Sequence, residues 1–186
     1  VNSIKKANDL CFGSDELPHF ALEKAEILIN FGADFLETWI NPIQMTAAYS
    51  AMHSPKNGIK GEFIHIAPHM SLTGSNADEW ISCPTGTEAH IALAICDTLL
   101  RQSTPKTIPK AQSIRKFLDR FSLDQTIKSI GLTSDKIDTL AKKFKRNGKS
   151  LAIGGGNSSA GKNASLLQIA VNLLNYIAGN IGTPVI

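Results

Sequence analysis

The sequence predicts a doubly wound α/β domain, a Rossmann-like fold whose mostly parallel sheet carries an added helical segment. Three observations predict it. Short apolar runs recur at AEILINF (25–31), EFIHI (62–66) and SLAI (150–153), each soon stopped by glycine or proline. Runs that are apolar on both faces, rather than alternating, are the mark of strands buried between two helical layers. Segments of helical character separate the runs, and strands alternating with helices imply a parallel sheet covered on both sides.

In order along the chain, residues 1–24 read as a helix and a loop, irregular from Asp9 to Phe20. Ala25 to Phe31 is the first strand, ended by Gly32. Thr38 to Met52 is helical, with Asn57-Gly58 marking the turn after it. Glu62 to Ile66 is the second strand, stopped by Pro68, and Glu79 to Cys83 is a short third. Thr87 caps the helix EAHIALAICDTLLR, whose apolar residues lie on nearly every side and require deep burial. Pro105 and Pro109 break the chain, and two short amphipathic helices follow near 111–121 and 123–130. Thr133 or Ser134 begins another helix, with Ile137, Leu140, Ala141 and Phe144 at helical spacing and lysines toward its end, as the macrodipole favours. Asn147-Gly148 ends it. Ser150 to Ile153 is the last strand, and after the glycine turn a final helix runs from about Ala164 to Ala178, closed by Gly179.

At 186 residues, 42% apolar and 19% charged, the chain is sized and composed for one globular α/β domain over 1–186. A net charge of +3 is too small to imply a nucleic-acid partner. Gln102 to Lys149 holds twelve Lys and Arg against four Asp, a local +8 that leaves −5 elsewhere. This stretch, with 102–131 as a basic helical insertion, reads as a solvated helical surface or as a docking face for an acidic partner or an anionic cofactor. Cys11, Cys83 and Cys96 share no C-x-x-C spacing and form neither a metal set nor a disulfide framework. The chain opens at Val1 with no signal-peptide pattern and stops at Gly-Thr-Pro-Val-Ile, so it reads as part of a longer polypeptide. Asn163 to Ile186 carries no charge, yet Asn163, Gln168, Asn172, Asn175 and Asn180 argue for a helix buried in protein rather than in lipid.

In such sheets ligands sit at the carboxyl ends of the strands, where strand order reverses. The ends here are Gly32-Ala33-Asp34, Ala67-Pro68-His69, Pro84-Thr85-Gly86-Thr87-Glu88 and Gly154-Gly155-Gly156-Asn157, a nucleotide-binding layout. Gly156, four residues, Gly161 and Lys162 nearly make a P-loop, but Asn163 stands where the motif needs a hydroxyl for Mg²⁺. Nucleotide hydrolysis is therefore disfavoured. The dinucleotide fingerprint fails as well, because FGADFLETW has one glycine instead of three and Ala67 replaces the expected acid. His65 and His69 are spaced H-x-x-x-H, but in an extended chain their rings lie on the order of 13 Å apart, too far for one metal.

Four segments together resemble the nucleotide-binding domain of the molybdopterin oxidoreductases, the dimethyl-sulfoxide-reductase superfamily. They are AEILINFGADFLETW, FIHIAPHMSLTGSNADEWISCPTGTEAHIALAI, SLAIGGG and VNLLNYIAGNIGTP. That family has a strand ending in Gly-x-Asn/Asp, and a second ending near Asp/Glu-Pro-Arg followed by Thr and an Ala-Asp pair. Pro-Gly-Thr-Asp/Glu then opens an apolar helix, and Leu-x-Gly-Asn-x-Gly-x-Pro-Gly comes later. The matches fall at Gly32, Asp34, Pro68, Thr73, Ala77, Asp78, Gly86, Thr87, Glu88, Gly179, Asn180, Gly182 and Pro184.

The resemblance implies a domain that holds the guanosine-phosphate end of a molybdopterin guanine dinucleotide. On that reading Gly32 allows close backbone approach, Asp34 accepts from a sugar hydroxyl, and Glu88 takes the guanine N1–H and N2–H₂. Gly154, Gly155 and Gly156 offer backbone N–H groups to the phosphates or the pterin. Pro68, His69, Thr73 and Gly86 complete the implied cofactor-binding set. No catalytic residue and no metal ligand falls within this stretch, so Mo or W, the Fe–S cysteines and redox activity belong to the rest of a full-length protein. Implied partners are the remaining domains and the Fe–S or membrane subunits of a respiratory complex, periplasmic or membrane-associated, with no direct membrane insertion. Ala67, His69, Pro84 and Val185 depart from the family pattern, each losing a polar contact or a turn glycine. The alternative is therefore a domain that has lost its cofactor and serves as a scaffold, as in the quinol-oxidising alternative complex III.

Overall fold

A computed structural model gives the structure of the chain and describes residues 2–55, 60–103, 108–145, 149–156 and 163–186. The turns expected at Asn57-Gly58, Pro105 and Asn147-Gly148, and the Asn157 to Lys162 part of the glycine loop, lie outside the described residues.

Four strands form one parallel sheet: β1 (Ile27–Phe31), β2 (Glu62–Ala67), β3 (Glu79–Ser82) and β4 (Ser150–Gly154), in the order β3-β2-β1-β4. The chain winds outward from β1 to β3 and then returns to the far side of β1, so strand order reverses between β1 and β4. Alternate residues of each strand feed two cores, as the period-two geometry of a strand requires. Leu28, Phe63, Leu151 and Ile153 pack on one face against Phe35, Trp39 and α2 (Pro42–His53). Ile27, Ile29, Phe31, Ile64, Ile66 and Ala152 pack on the other against α4 (Glu88–Gln102), α7 (Ser134–Phe144) and α8 (Ala164–Ile177). The doubly wound, Rossmann-like α/β architecture expected from the sequence is present.

Of the remaining helices, α1 (Asn2–Phe12) lies on α8, while α5 (Ala111–Leu118) and α6 (Leu123–Ser129) lie on α4. The helix α4 is buried at ten of its fifteen positions, as its apolar circumference demanded.

Four local expectations are corrected. The helix α1 continues to Phe12, past the Asp9 where irregular chain was expected. The helix α2 begins at Pro42 rather than Thr38, because Asn41 is its cap, accepting from the Gln44 N–H at 3.4 Å, and proline suits the first turn. Thr87 occupies the cap position of α4 without capping it; its hydroxyl donates to the Pro84 carbonyl at 2.6 Å. A four-residue helix, α3 (Leu72–Ser75), was not expected at all, being too short to show a period.

The lysines near the end of the basic segment have intramolecular partners. Lys136 pairs with Glu79, Lys143 pairs with Glu62 and lies 3.6 Å from Glu79, and Lys149 lies 2.6 Å from Glu26. Glu62 and Glu79 open β2 and β3, and Glu26 immediately precedes β1. The lysines therefore neutralise an acidic row along the amino edge of the sheet, remote from the carboxyl ends where ligands sit.

Candidate functional site

The crevice at the β1/β4 reversal is built from the turn after each strand. Gly32 ends β1 with φ +71, a conformation that glycine adopts without strain, and the chain then doubles back. The Asp34 carbonyl accepts from the N–H groups of Glu37, Thr38 and Trp39 at 2.9–3.1 Å, closing a tight turn over residues 34–39. Inside β1, Asn30 is a polar residue in an otherwise apolar run and is wholly buried. Its side chain accepts from the Ala33 N–H at 2.8 Å and donates to the Ala33 carbonyl at 2.7 Å, which pins the turn.

Asn30 Nδ2 also lies 3.0 Å from His65 Nδ1, so the ring presents its lone pair there and carries its proton on Nε2. Burial pushes the His65 imidazole down to about 4; the Asp34 charge opposes that fall and His69 adds to it. The His65 ring lies against Gly74 of α3, where a Cβ would meet its Cδ2 at 2.9 Å. Thr73, fully buried in the same short helix, accepts from the Leu36 N–H at 3.2 Å. The turns after β1 and β2 are thus held together by Asn30, His65 and Thr73.

On the other side of the crevice, a Cβ on Gly156 (φ +62) would stand 2.4 Å from the Gly32 carbonyl oxygen. The Asn163 side chain donates to the Gly86 carbonyl at 3.1 Å, linking the turn after β4 to the one after β3. Gly32, Asp34, Gly155 and Gly156 therefore meet at the reversal, with Thr73 behind them and Gly86 joined through Asn163. Pro68 and His69 form the bend after β2, with His69 exposed.

Glu88, the first residue of α4, is 1% exposed and already engaged within the molecule. Its charge and burial push the Cys83 thiol up to about 11, with burial the larger cause and a Thr87 hydrogen bond opposing. Gly154 packs under Val171 and its carbonyl accepts from Gln168 at 2.9 Å. Gly155 differs from expectation: its N–H is donated to the Phe31 carbonyl at 3.2 Å and is not held out for a ligand.

Two polar groups at the crevice stand out. Asp34 is 8% exposed, and its carboxylate makes no hydrogen bond or ion pair among the described residues. Trp39, 6% exposed, lies with its indole nitrogen 2.1 Å from where a Gly155 Cβ would be. Asn30, His65, Trp39 and Asn163 were absent from the expected set. Asn30 and His65 carried a sequence signal as polar residues inside apolar strands, and Asn163 stood at the end of the near-P-loop, whereas Trp39 carried none.

The class defined by this fold and crevice is a doubly wound α/β domain with its site at a strand-order reversal, and the resemblance to the molybdopterin oxidoreductases stands. The chain is 26% identical over 176 residues to the menaquinone reductase molybdopterin-binding-like subunit of Nitratidesulfovibrio vulgaris strain Hildenborough, covering 95% of this chain and 25% of that protein. The fold is that of part of acetylene hydratase from Pelobacter acetylenicus, with a TM-score of 0.71 at 15% identity over 99% of this chain and 25% of that one. The chain spans about a quarter of the length of each. No protein-family model matches it. Among the described residues, no helix is long and apolar enough to cross a membrane, and no group of three or more His, Cys, Asp and Glu could hold a metal ion.

Proposed function

We propose that this chain is the nucleotide-binding domain of a molybdopterin-dependent oxidoreductase, and that its β1/β4 crevice holds the guanosine-phosphate end of a molybdopterin guanine dinucleotide. The observation that carries the reading is Asp34. The residue is 8% exposed and its carboxylate has no hydrogen-bond or ion-pair partner among the described residues, so its acceptor capacity is left for the donors of a ligand. The vicinal hydroxyls of a ribose are such donors. Glu88 takes the guanine edge by exchanging its present contact for N1–H and N2–H₂. The pterin end, when bound, carries the metal and the redox chemistry; this chain contributes binding and orientation. The remaining domains, the electron-transfer partner subunits and a periplasmic or membrane-associated setting belong to the same proposal.

One observation favours a second reading, a cofactor-free structural domain. The indole of Trp39 lies on Gly155, and the Gly155 N–H is already used, so Gly155 offers no amide to a phosphate. The name of the menaquinone reductase relative, "molybdopterin-binding-like", is in keeping with that alternative.

Titration with GDP, followed by thermal unfolding, separates the two. A ligand at 100 times its dissociation constant stabilises by about 2.7 kcal/mol. Under the first reading GDP raises the melting temperature and Asp34→Ala removes the rise; under the second, millimolar GDP has no effect. Pterin and metal analysis of the full-length protein gives an independent answer.

A further inference from the structure

We infer that the indole N–H of Trp39 is the hydrogen-bond donor that this crevice offers to an anionic oxygen of its ligand, in place of the Gly155 amide. The inference rests on the nucleotide reading above.

Three observations lead to it. The Gly155 N–H is bound to the Phe31 carbonyl at 3.2 Å, so that amide is not available to a phosphate there. The pyrrole edge of Trp39 occupies that very place, with Nε1, Cδ1 and Cε2 at 2.1, 2.8 and 3.1 Å from the position of a Gly155 Cβ. The indole is also fixed: the residue is 6% exposed, Phe20 packs on its ring at a centroid distance of 5.5 Å, and the Trp39 backbone amide donates to the Asp34 carbonyl at 3.1 Å.

The chemistry follows. An indole N–H is a donor only, so it can serve a ligand oxygen and cannot serve a ligand N–H. Trp39 Nε1 makes no hydrogen bond among the described residues, whereas the other tryptophan, Trp80, gives its Nε1–H to the Ala67 carbonyl at 3.2 Å. Within one turn the chain thus holds an acceptor, the Asp34 carboxylate, and a donor, the Trp39 indole N–H, neither of them hydrogen-bonded among the described residues. That pair suits a ligand with hydroxyls at one end and an anionic oxygen nearby, which is the chemistry of a nucleoside phosphate. Ile40, next to Trp39, has φ +52, an uncommon conformation for a β-branched residue, of the kind found where the chain holds a functional side chain in place.

The test is calorimetric titration of the parent and of Trp39→Phe with guanosine and with GDP. Phenylalanine keeps an aromatic ring and removes the N–H. The parent is expected to bind GDP more tightly than guanosine. In Trp39→Phe, GDP affinity should fall about tenfold or more, as for loss of a bond to a charged group, with guanosine affinity unchanged. If GDP keeps its full advantage in the variant, or has none in the parent, the inference is overturned while the nucleotide reading stands. If the parent binds neither, both fall. A measurement that needs no variant is the Trp39 indole proton resonance, with Trp80 as the internal control. Saturating GDP should move it downfield and guanosine should not; an unmoved resonance at saturation overturns the inference.

Discussion

Asn175 closes the open edge of the sheet through Ala152: its Oδ1 accepts from the Ala152 N–H at 2.9 Å, and its Nδ2 donates to the Ala152 carbonyl at 2.8 Å. Ala152 is the middle residue of β4, which ends the strand order and pairs only with β1. In a parallel strand, alternate residues point their amides to opposite sides, and those of Ser150, Ala152 and Gly154 point away from β1. Ala152 and Gly154 have backbone groups held from the C-terminal region, and Ser150 is held there through its hydroxyl. Gln168 takes the Gly154 carbonyl, Asn175 takes both groups of Ala152, and Asn180 donates to the Ser150 hydroxyl at 3.1 Å. The uncharged C-terminal segment is thus rich in amides because it replaces a missing fifth strand.

Asn175→Leu should therefore destabilise the fold well beyond a surface substitution. It leaves a buried N–H and a buried carbonyl unsatisfied, at about 1–3 kcal/mol each. Chemical denaturation should show a loss of about 3 kcal/mol, and amide exchange at Ala152 should accelerate more than at Ile153, which faces β1.

The buried histidine gives a pH dependence whose sign is fixed by its direction of shift. Folding lowers the His65 imidazole from its ordinary 6.5 to about 4, chiefly by burial. Between those values the unfolded chain takes up a proton that the folded one refuses. Stability is full above pH 6.5 and falls as the pH drops toward 4, by at most about 3 kcal/mol. His65→Gln keeps an acceptor for Asn30 but does not titrate. Denaturation at pH 7 and pH 5 should show a drop in the parent larger by about 2 kcal/mol than in the variant.

The parts of this fold legible in the sequence were those set by local pattern. Apolar runs gave β1, β2 and β4, because both faces of each strand are covered, and the turn residues gave the crevice rim. What could not be read was set by residues distant in the chain. The lysines of α7 read as a solvated face or a docking face because their partners, Glu62 and Glu79, lie more than 50 residues away. Trp39 read as the start of a helix, since nothing near it in sequence reveals that Gly155 waits beneath. Thr87 looked like a cap because its type and place were right; the Pro84 carbonyl competes for its hydroxyl. The likeness to larger oxidoreductases could be drawn from motif order alone, and the 26% identical relative agrees with it.

Lys143 tests the ionic edge. Its ammonium pairs with Glu62 and lies 3.6 Å from Glu79, with all three side chains between 28% and 29% exposed. Burial alone would raise the Glu79 carboxyl, but Lys136 and Lys143 more than offset it and hold it below the ordinary carboxylate value. This stabilisation is therefore present above the ordinary value and is lost as the pH falls through the lowered one. Lys143→Met should cost about 1 kcal/mol at neutral pH and low salt. The cost should shrink in 1 M salt, where the screening length is about 3 Å. Unfolding measured at both ionic strengths checks this, and a cost that does not change with salt would assign the lysine's role to packing of its methylenes.

The contact between Trp39 and Gly155 makes the last prediction, which concerns packing and holds whichever reading of the site is right. A Cβ at Gly155 would overlap the indole nitrogen at 2.1 Å, far inside any real contact, and the clash cannot be relieved by a flexible chain end because the ring is pinned by Phe20. Gly155→Ala should cost about 1–3 kcal/mol by overpacking, and it should shift Trp39 fluorescence to the red as the indole is pushed toward water. Making the same change in Trp39→Phe, where the nitrogen is gone, should cost less. Two residues in direct contact that both move one packing arrangement should show a coupling energy of about 0.5 kcal/mol or more in the double-mutant cycle. Strict additivity would mean that the indole does not rest on the glycine turn, and it would remove the ground for assigning Trp39 a place in the crevice.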